Sequence, residues 1–321
     1  MKKQAATIGL GAFLLADIVL VALALRPPTV NDTGAGASTD TARPVSTAAP
    51  TSADTTTETT EASTSTTAPT TSGPATGPVP VARLVIGVDS TTAWRANAGS
   101  CKSGGALVEV TTDGGETWTK RTSPARAISR IQPLLEGTGF ILGAGADCEI
   151  KEWTTKNNGQ AWAGPKALVG AWAREISKSS AVITPQDPAA TPCGNLSVLD
   201  LSRTSAEQAE ALCEDGSVKV TNNAGASWAD SGEAPGAVAL TNRLEGGVLT
   251  TYAARVVKAC AGVQVVKVIQ GKPAVAVTCV KADVPADAGQ IGISAAPAAG
   301  WLIVGDETWT AGAELKSWKQ V

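Results

Sequence analysis

One pattern occurs three times and fixes where this chain must reverse. Thr111-x-Asp113-x-Gly115-x-x-Trp118, in "TTDGGETWTK", returns as Thr155-x-Asn157-x-Gly159-x-x-Trp162 in "TKNNGQAW" and as Thr221-x-Asn223-x-Gly225-x-x-Trp228 in "TNNAGASW". Each copy follows a strand-like run ("ALVEVT", "EIKEWT", "GSVKVT") and leads into another short one. The residue types suit a hairpin tip. Asp or Asn accepts backbone N–H bonds inside the turn and tolerates the left-handed region, and Gly supplies positive φ. Thr adds a hydroxyl, and Trp buries a large ring against a neighbouring sheet. A chain punctuated in this way is expected to be all-β.

The spacing of the pattern sets the unit size. Trp118 and Trp162 are 44 residues apart, room for four short strands. Trp162 and Trp228 are 66 apart, which fits one unit with an insertion or two units with one degenerate turn. The Pro-rich stretch Gly164 to Cys193, with "TPQDPAATPCG", is the expected insertion. Beyond Trp228, "GAVALTNRLEGGVLTTYAARVVKACAGVQVVKVIQG" alternates like three or four strands, and "GISAAPAAGWLIVGDETWTAGAELKSW" reads as a last unit. Its "LIVGDETWTAG" resembles "LVIGVDSTTAWRA" at Leu84 to Ala96, as expected if first and last units share a design.

Several chemistries are excluded at the outset. The chain has no histidine, so Ser-His-Asp and Cys-His nucleophiles and His-ligated zinc are absent. With a net charge of −3 and no basic stripe, no nucleic-acid partner is expected. No phosphate-cradling glycine motif and no EF-hand ligand set occurs, so no cofactor and no metal is expected.

The N-terminal quarter differs in kind. After a tip of residues 1–4 with Lys2 and Lys3, residues 5–25 form an apolar run broken only by Asp17. As a helix it would span the roughly 30 Å hydrocarbon core, with the positive tip in the cytoplasm and the rest outside. The alternative is a cleaved signal peptide, with Ala22-Leu23-Ala24 as the cleavage site. Both readings export the remainder of the chain. Residues 26–78 are Thr, Ser, Ala and Pro with almost no large apolar side chain, a composition expected to stay a disordered stalk. The expected domain is 79–321, in a single-pass protein of the plasma membrane. All six cysteines, Cys101, Cys148, Cys193, Cys213, Cys260 and Cys279, fall in it, and an even count on the exported side points to three disulfides.

The repeated turn resembles the Asp-box, S/T-x-D-x-G-x-x-W, of sialidase-like β-propellers. The first copy matches at all four defining positions, and the other two replace Asp with Asn. The resemblance covers roughly Val79 to Val321 and implies a propeller of five four-stranded blades, with six as the alternative, in which the boxes are structural. Placing the cysteines on such blades pairs Cys260 with Cys279 across the "QGKP" turn, Cys193 with Cys213, and Cys101 with Cys148 on adjacent blades. Sialidases use an arginine cluster, a Tyr nucleophile activated by Glu, and an Asp acid/base. The F/Y-R-I-P motif of that family is matched here only by Arg130-Ile131-Gln132-Pro133, with an inserted Gln and after the first box. The chain has one tyrosine, Tyr252, so Tyr252, Glu245 and Arg255 are the catalytic candidates the resemblance allows. Asp147, Glu149, Asp215, Asp306 and Glu307 sit in turn-like contexts.

The function expected from these readings is a membrane-tethered, extracytoplasmic propeller that binds an envelope protein or a glycan without catalysis. A divergent exo-glycosidase and an assembly factor for a membrane complex are the alternatives. The expected binding surface is the end of the propeller lined by interstrand loops, with the loop Pro185 to Cys193 among them. Trp94, Trp153, Trp172 and Trp309 are read as stacking platforms or as blade packing.

Overall fold

The computed structural model describes residues 79–321; the expected span 5–25 and stalk 26–78 lie outside them. Among the described residues no helix is long and apolar enough to cross a membrane. The domain is all-β, as expected. One sheet holds β1 (Arg83–Gly87), β2 (Ala93–Asn97), β3 (Leu107–Thr111) and β4 (Thr119–Arg121), and the next holds β5 (Ala127–Pro133), β6 (Gly139–Ala144), β7 (Ile150–Thr155) and β8 (Ala163–Ala167). A two-stranded hairpin comes next, β9 (Ala173–Arg174) with β10 (Val182–Ile183). Then come β11 (Val198–Arg203), β12 (Ala209–Cys213), β13 (Ser217–Thr221) and β14 (Ala229–Glu233), and β15 (Ala237–Glu245), β16 (Val248–Arg255), β17 (Val263–Ile269) and β18 (Lys272–Val280). One parallel pairing, Glu233 with Pro273, joins these two meanders into an eight-stranded sheet. The last sheet is β19 (Ile291–Ala295), β20 (Ala299–Val304), β21 (Glu307–Gly312) and β22 (Trp318–Gln320).

The first strands of these units close a ring. β1 packs beside β5 and β19, β9 beside β5 and β11, and β15 beside β11 and β19. This is a β-propeller with five four-stranded blades, and the two-stranded hairpin occupies a sixth station. The hairpin is not a shortened copy of its neighbours. Ser179, beyond β9, bonds Val198 where β11 starts, whereas the Trp172 indole, just before β9, reaches Ala206 beyond the end of β11. β9 therefore runs against the other inner strands. Those run together: Asp200 bonds Leu240, Ser202 bonds Asn242, and Gly87 bonds Ser294. Small residues let them approach, and a Cβ on Gly292 would lie 2.1 Å from the Arg83 carbonyl oxygen.

The three repeated turns join β3 to β4, β7 to β8 and β13 to β14, and they share one hydrogen-bond net. The buried Thr hydroxyl donates to the Asp or Asn oxygen at 2.7, 2.9 and 2.9 Å and accepts the Gly N–H at 3.0, 3.0 and 3.1 Å. The same oxygen accepts the N–H four residues on, from Thr117, Ala161 and Ser227, each at 3.0 Å. An amide oxygen thus serves as well as a carboxylate. Each turn docks on the preceding station. Trp118 meets Trp301 edge to face at 6.2 Å, Trp162 meets Trp94 at 5.9 Å, and Trp228 meets Trp172 at 6.1 Å. The first of these contacts ties the first blade to the last and so closes the ring.

Call the end where the inner strands other than β9 begin the floor, and the end where they finish the mouth. The repeated turns lie on the mouth side. Disulfides Cys101–Cys148, Cys193–Cys213 and Cys260–Cys279, the expected pairing, lie on the floor side. Three disulfides fit an exported, oxidising environment. Two expectations need correction. The insertion at Gly164 to Cys193 contains β9 and β10, and Pro185 to Cys193 touches the mouth side only at its start, where the Gln186 N–H bonds the Ala224 carbonyl at 3.2 Å; it then runs down the outer side of that station, with Ala190 bridging to Val182. The likeness of first and last units also fails as a register, because "LVIGVDSTTAWRA" forms β1 and β2 whereas "LIVGDETWTAG" forms β20 and β21.

Two substitutions separate the roles inside the turn. Thr221→Val strands the buried Gly225 N–H and is expected to cost about 1–3 kcal/mol, read as a lower urea midpoint at unchanged m-value. Asp113→Asn is expected to be near-neutral at pH 7, since Asn157 and Asn223 make the same bonds. Bonds from the Thr117 hydroxyl and N–H and from Thr111 hold the Asp113 carboxyl down at about 2, below its ordinary 3.8. Its stabilisation is therefore present above the ordinary value and is lost as pH falls through about 2, a loss that Asp113→Asn should abolish in acid-unfolding curves.

Candidate functional site

The inner strands enclose a cavity of about 410 Å³ on the propeller axis, within the size range of ligand pockets. Its floor is closed by the segment entering β1. The Val81 N–H bonds the Leu199 carbonyl at 2.8 Å, the Ala82 N–H bonds the Gly289 carbonyl at 2.8 Å, and the Arg174 guanidinium bonds the Val81 carbonyl. A β-bulge opens this contact, for the β11 register shifts between Val198 and Asp200 at Leu199. A second bulge, between Ile128 and Arg130, lies beside Ser129, whose hydroxyl reaches the Arg174 carbonyl. The opposite end is lined by Gln132, Thr204, Leu244 and Pro297 and is the open mouth.

Five arginines line the cavity, one from each of five inner strands: Arg83, Arg130, Arg174, Arg203 and Arg243. Three have carboxylates. Arg83 lies 3.8 Å from Glu109, Arg174 faces Asp200, and Arg243 donates to Glu245 from Nε at 2.9 Å and Nη2 at 2.6 Å. Arg130 and Arg203 have none among the described residues. Arg130 bonds the Trp172 carbonyl at 3.2 Å and Gln132 Oε1 at 2.5 Å, and it stacks on Phe140 at 5.3 Å. Burial, and then the charge of Arg203, pushes the Arg130 guanidinium down to about 9. Burial also lowers Arg203, whose Nε is enclosed without a hydrogen-bond partner. The two uncompensated guanidiniums are thus close enough to repel each other.

Asp200 is the single carboxylate among the cavity-lining residues. Its oxygens accept the Leu201 and Leu240 N–H groups, each at 2.8 Å, and burial raises its carboxyl while Arg174 and these bonds oppose the rise. Two-carboxylate glycoside hydrolysis needs a facing pair, and this lining holds a single carboxylate. Among the described residues no group of three His, Cys, Asp or Glu side chains could hold a metal ion.

The catalytic candidates are brought together only in part. The Tyr252 hydroxyl donates to Glu245 Oε1 at 2.8 Å. Arg255 is elsewhere, with its Nε on Gln264 at 2.7 Å, and Arg243 takes its place beside Glu245. Burial would raise the Glu245 carboxyl, but bonds from Arg243 and Tyr252 outweigh it and hold it at about 2. Burial and the Glu245 charge raise the Tyr252 phenol. So weak a base does not take a proton from so weak an acid. Tyr252 lies on the second strand of its blade, packed with Ala254, Val265 and Ile293, and does not line the cavity. Asp215, Asp147, Glu149 and Asp306 lie in turns and loops, as expected: Asp215 caps Ser217, Asp147 and Glu149 hold Lys151, and Asp306 lies between β20 and β21; Glu307 instead opens β21 opposite Val304 and accepts the Trp309 indole at 3.0 Å. Trp94, Trp153 and Trp172 are buried, so they pack rather than form platforms. The arginines were missed because alternation along a strand does not show which strand edges meet at an axis. The available signal was a single Arg in each of "RLVIG", "SRIQ", "WAR", "LSR" and "TNR".

No family model and no curated protein matches the chain. Among solved structures it is similar to YCF48 bound to D1 peptide, at 17% identity over 76% of this chain and 68% of that one, with a TM-score of 0.27. It is also similar to the SapL1 lectin in complex with alpha methyl fucoside, at 11% identity over 75% and 95%, TM-score 0.47. The Bacillus subtilis arabinanase Arb43A is similar at 11% identity over 73% and 90%, TM-score 0.39. Likeness this distant carries no ligand over, and the site rests on this chain's own residues.

The single tyrosine makes the Tyr252–Glu245 pair measurable. Tyrosinate absorbance should titrate above the ordinary phenol value, and Glu245→Gln should move that titration down, because a negative neighbour is removed.

Proposed function

We propose that the chain is a non-catalytic binding module, an exported propeller that receives a protein or glycan ligand at the mouth of its axial cavity. The observation that carries this reading is the pair Arg130 and Arg203, two half-buried guanidiniums on a cavity wall without a carboxylate between them. Such charges are costly to hold uncompensated and favour an occupant that supplies the missing partner. The proposal includes attachment to the membrane through residues 5–25, supported by the length of the apolar run and the lysines before it. It also includes the reading of the three turns as Asp-boxes, supported by their shared hydrogen-bond net. The exo-glycosidase alternative is disfavoured by the lone carboxylate in the lining and by the protonated, enclosed Tyr252.

The test is capture from native envelope material on the immobilised full chain, with protein and carbohydrate both analysed. A discrete protein or glycan retained by the wild type and lost with Arg203→Gln is expected. Retention of nothing, or of material that ignores Arg203→Gln, overturns the reading.

A further inference from the structure

The mouth has a second property besides charge. Among the described residues, eight large apolar side chains are exposed. Four of them lie on two mouth-side loops: Leu134 and Leu135, 46% and 73% exposed, come just after β5, while Leu244 and Val248, 57% and 67% exposed, form the tip of the β15–β16 hairpin. β5 and β15 are not neighbours in the ring: β5 packs on β1 and β9, β15 on β11 and β19. The aliphatic pairs therefore stand on opposite sides of the mouth, with the Arg130–Arg203 pair in the wall between them. Exposed apolar side chains scattered singly are ordinary, but a grouping of them at one opening tends to mark a contact surface. Sugar sites usually present an aromatic face, but the cavity lining holds one aromatic residue, Trp172, which is buried, 6.1 Å from Trp228, with its indole N–H on Ala206.

We infer that the mouth is a docking site for an acidic polypeptide segment, one whose carboxylate enters between Arg130 and Arg203 while aliphatic residues on either side of it rest on Leu134–Leu135 and Leu244–Val248. This rests on the binding reading above and narrows it to one partner chemistry. Each part of the segment answers an observed feature. Arg203 lines the cavity without a carboxylate of its own, and an incoming carboxylate answers its guanidinium charge. Arg130 already spends donors on Trp172 and Gln132, which fix its plane, and keeps others for the ligand. Asn242, already bonded to Ser202, and the β11 end at Arg203 and Thr204 add polar groups to the same wall. The aliphatic knobs add apolar burial without sequence-specific demands.

The experiment measures fluorescence polarisation of a labelled peptide, Leu-Val-Glu-Leu-Val with both ends blocked, against the full chain. The same peptide with Gln for Glu, and the Gln peptide with a free C-terminal carboxylate, are measured beside it. The Glu peptide is expected to bind at least about tenfold more tightly than the blocked Gln peptide and to weaken as salt is added. Arg203→Gln should remove that difference. Leu244→Ser, at an exposed position that the fold does not need, should weaken binding severalfold, so the proposal stays open to test if Arg130 or Arg203 variants fold poorly. If only the free-terminus peptide binds, the seat takes a chain end, and the side-chain form of the inference is wrong. If an acidic oligosaccharide such as polygalacturonate binds in an Arg203-dependent way and no peptide does, the inference falls while the binding reading stands. If no probe binds and the envelope capture also retains nothing, both fall together.

Discussion

Everything in this domain hangs on a contact between one blade's turn and the blade before it. The turn alone is a local object, a Thr hydroxyl that donates to an Asp or Asn oxygen and accepts a Gly N–H. Its consequence is long-range because the Trp three residues after the Gly meets a Trp on the preceding station. The glycine is needed on two counts. Gly115 and Gly225 have φ of 95° and 90°, and a Cβ on Gly225 would lie 2.4 Å from Thr184 in the neighbouring hairpin. A turn that needs both a left-handed residue and the closest approach of two blades leaves little freedom for substitution. The first turn does one thing more than the others, since Trp118 on Trp301 and the approach of Gly115 to Val321 join the two ends of the domain.

The two ends of the ring are held by different chemistry. On the mouth side the fastening is packing and hydrogen bonds; on the floor side it is covalent. Cys101–Cys148 crosses between the first two blades, and Cys193–Cys213 anchors the strand-poor sixth station to the blade after it. That station has little else to hold it, for β9 and β10 contribute two residues each. A crosslink that shortens a loop in the unfolded chain is one physical remedy for a unit that buries too little surface. The floor is also sealed by Val81, which is 3% exposed and bonded across the ring to Leu199. The floor is thus closed twice, by the disulfides and by this segment, whereas the cavity opens at the mouth.

How far this was legible in the sequence depended on range. The turns were legible because every bond that defines them spans two or four residues, so their pattern is written in consecutive letters. The sixth station was not. Its strands are two residues long and run against their neighbours, and their existence depends on β5 and β11, which flank them in space. The Tyr252–Glu245 bond was legible as a pair seven residues apart on one hairpin. The choice of Arg243 over Arg255 was not, because it is set by the register: Arg243 opposite Thr250 lies near the Glu245 tip, whereas Arg255 opposite Ala237 lies at the far end. The cavity was least legible of all, since five arginines spread along 160 positions, from Arg83 to Arg243, converge only when the ring closes.

That convergence has a cost that explains the arrangement of the acids. Five guanidiniums around one axis would repel strongly at the low effective dielectric of a closed ring. Glu109, Asp200 and Glu245 answer three of them, each by a different route. Glu109 comes from a third strand and is shared between Arg83 and Arg95, at 3.8 and 2.8 Å. Asp200 sits in the wall itself, with its charge offset by two backbone N–H groups as well as Arg174. Glu245 stands at the hairpin tip, where Tyr252 and Lys267 also reach it. The tyrosine that looked like a nucleophile is, in this arrangement, one of the donors that keep Glu245 ionised beside Arg243. What the acids leave over is confined to the stretch of wall at Arg130 and Arg203, so the unbalanced charge of the cavity has one address, and it faces the end that the disulfides and the Val79–Ala82 segment do not close.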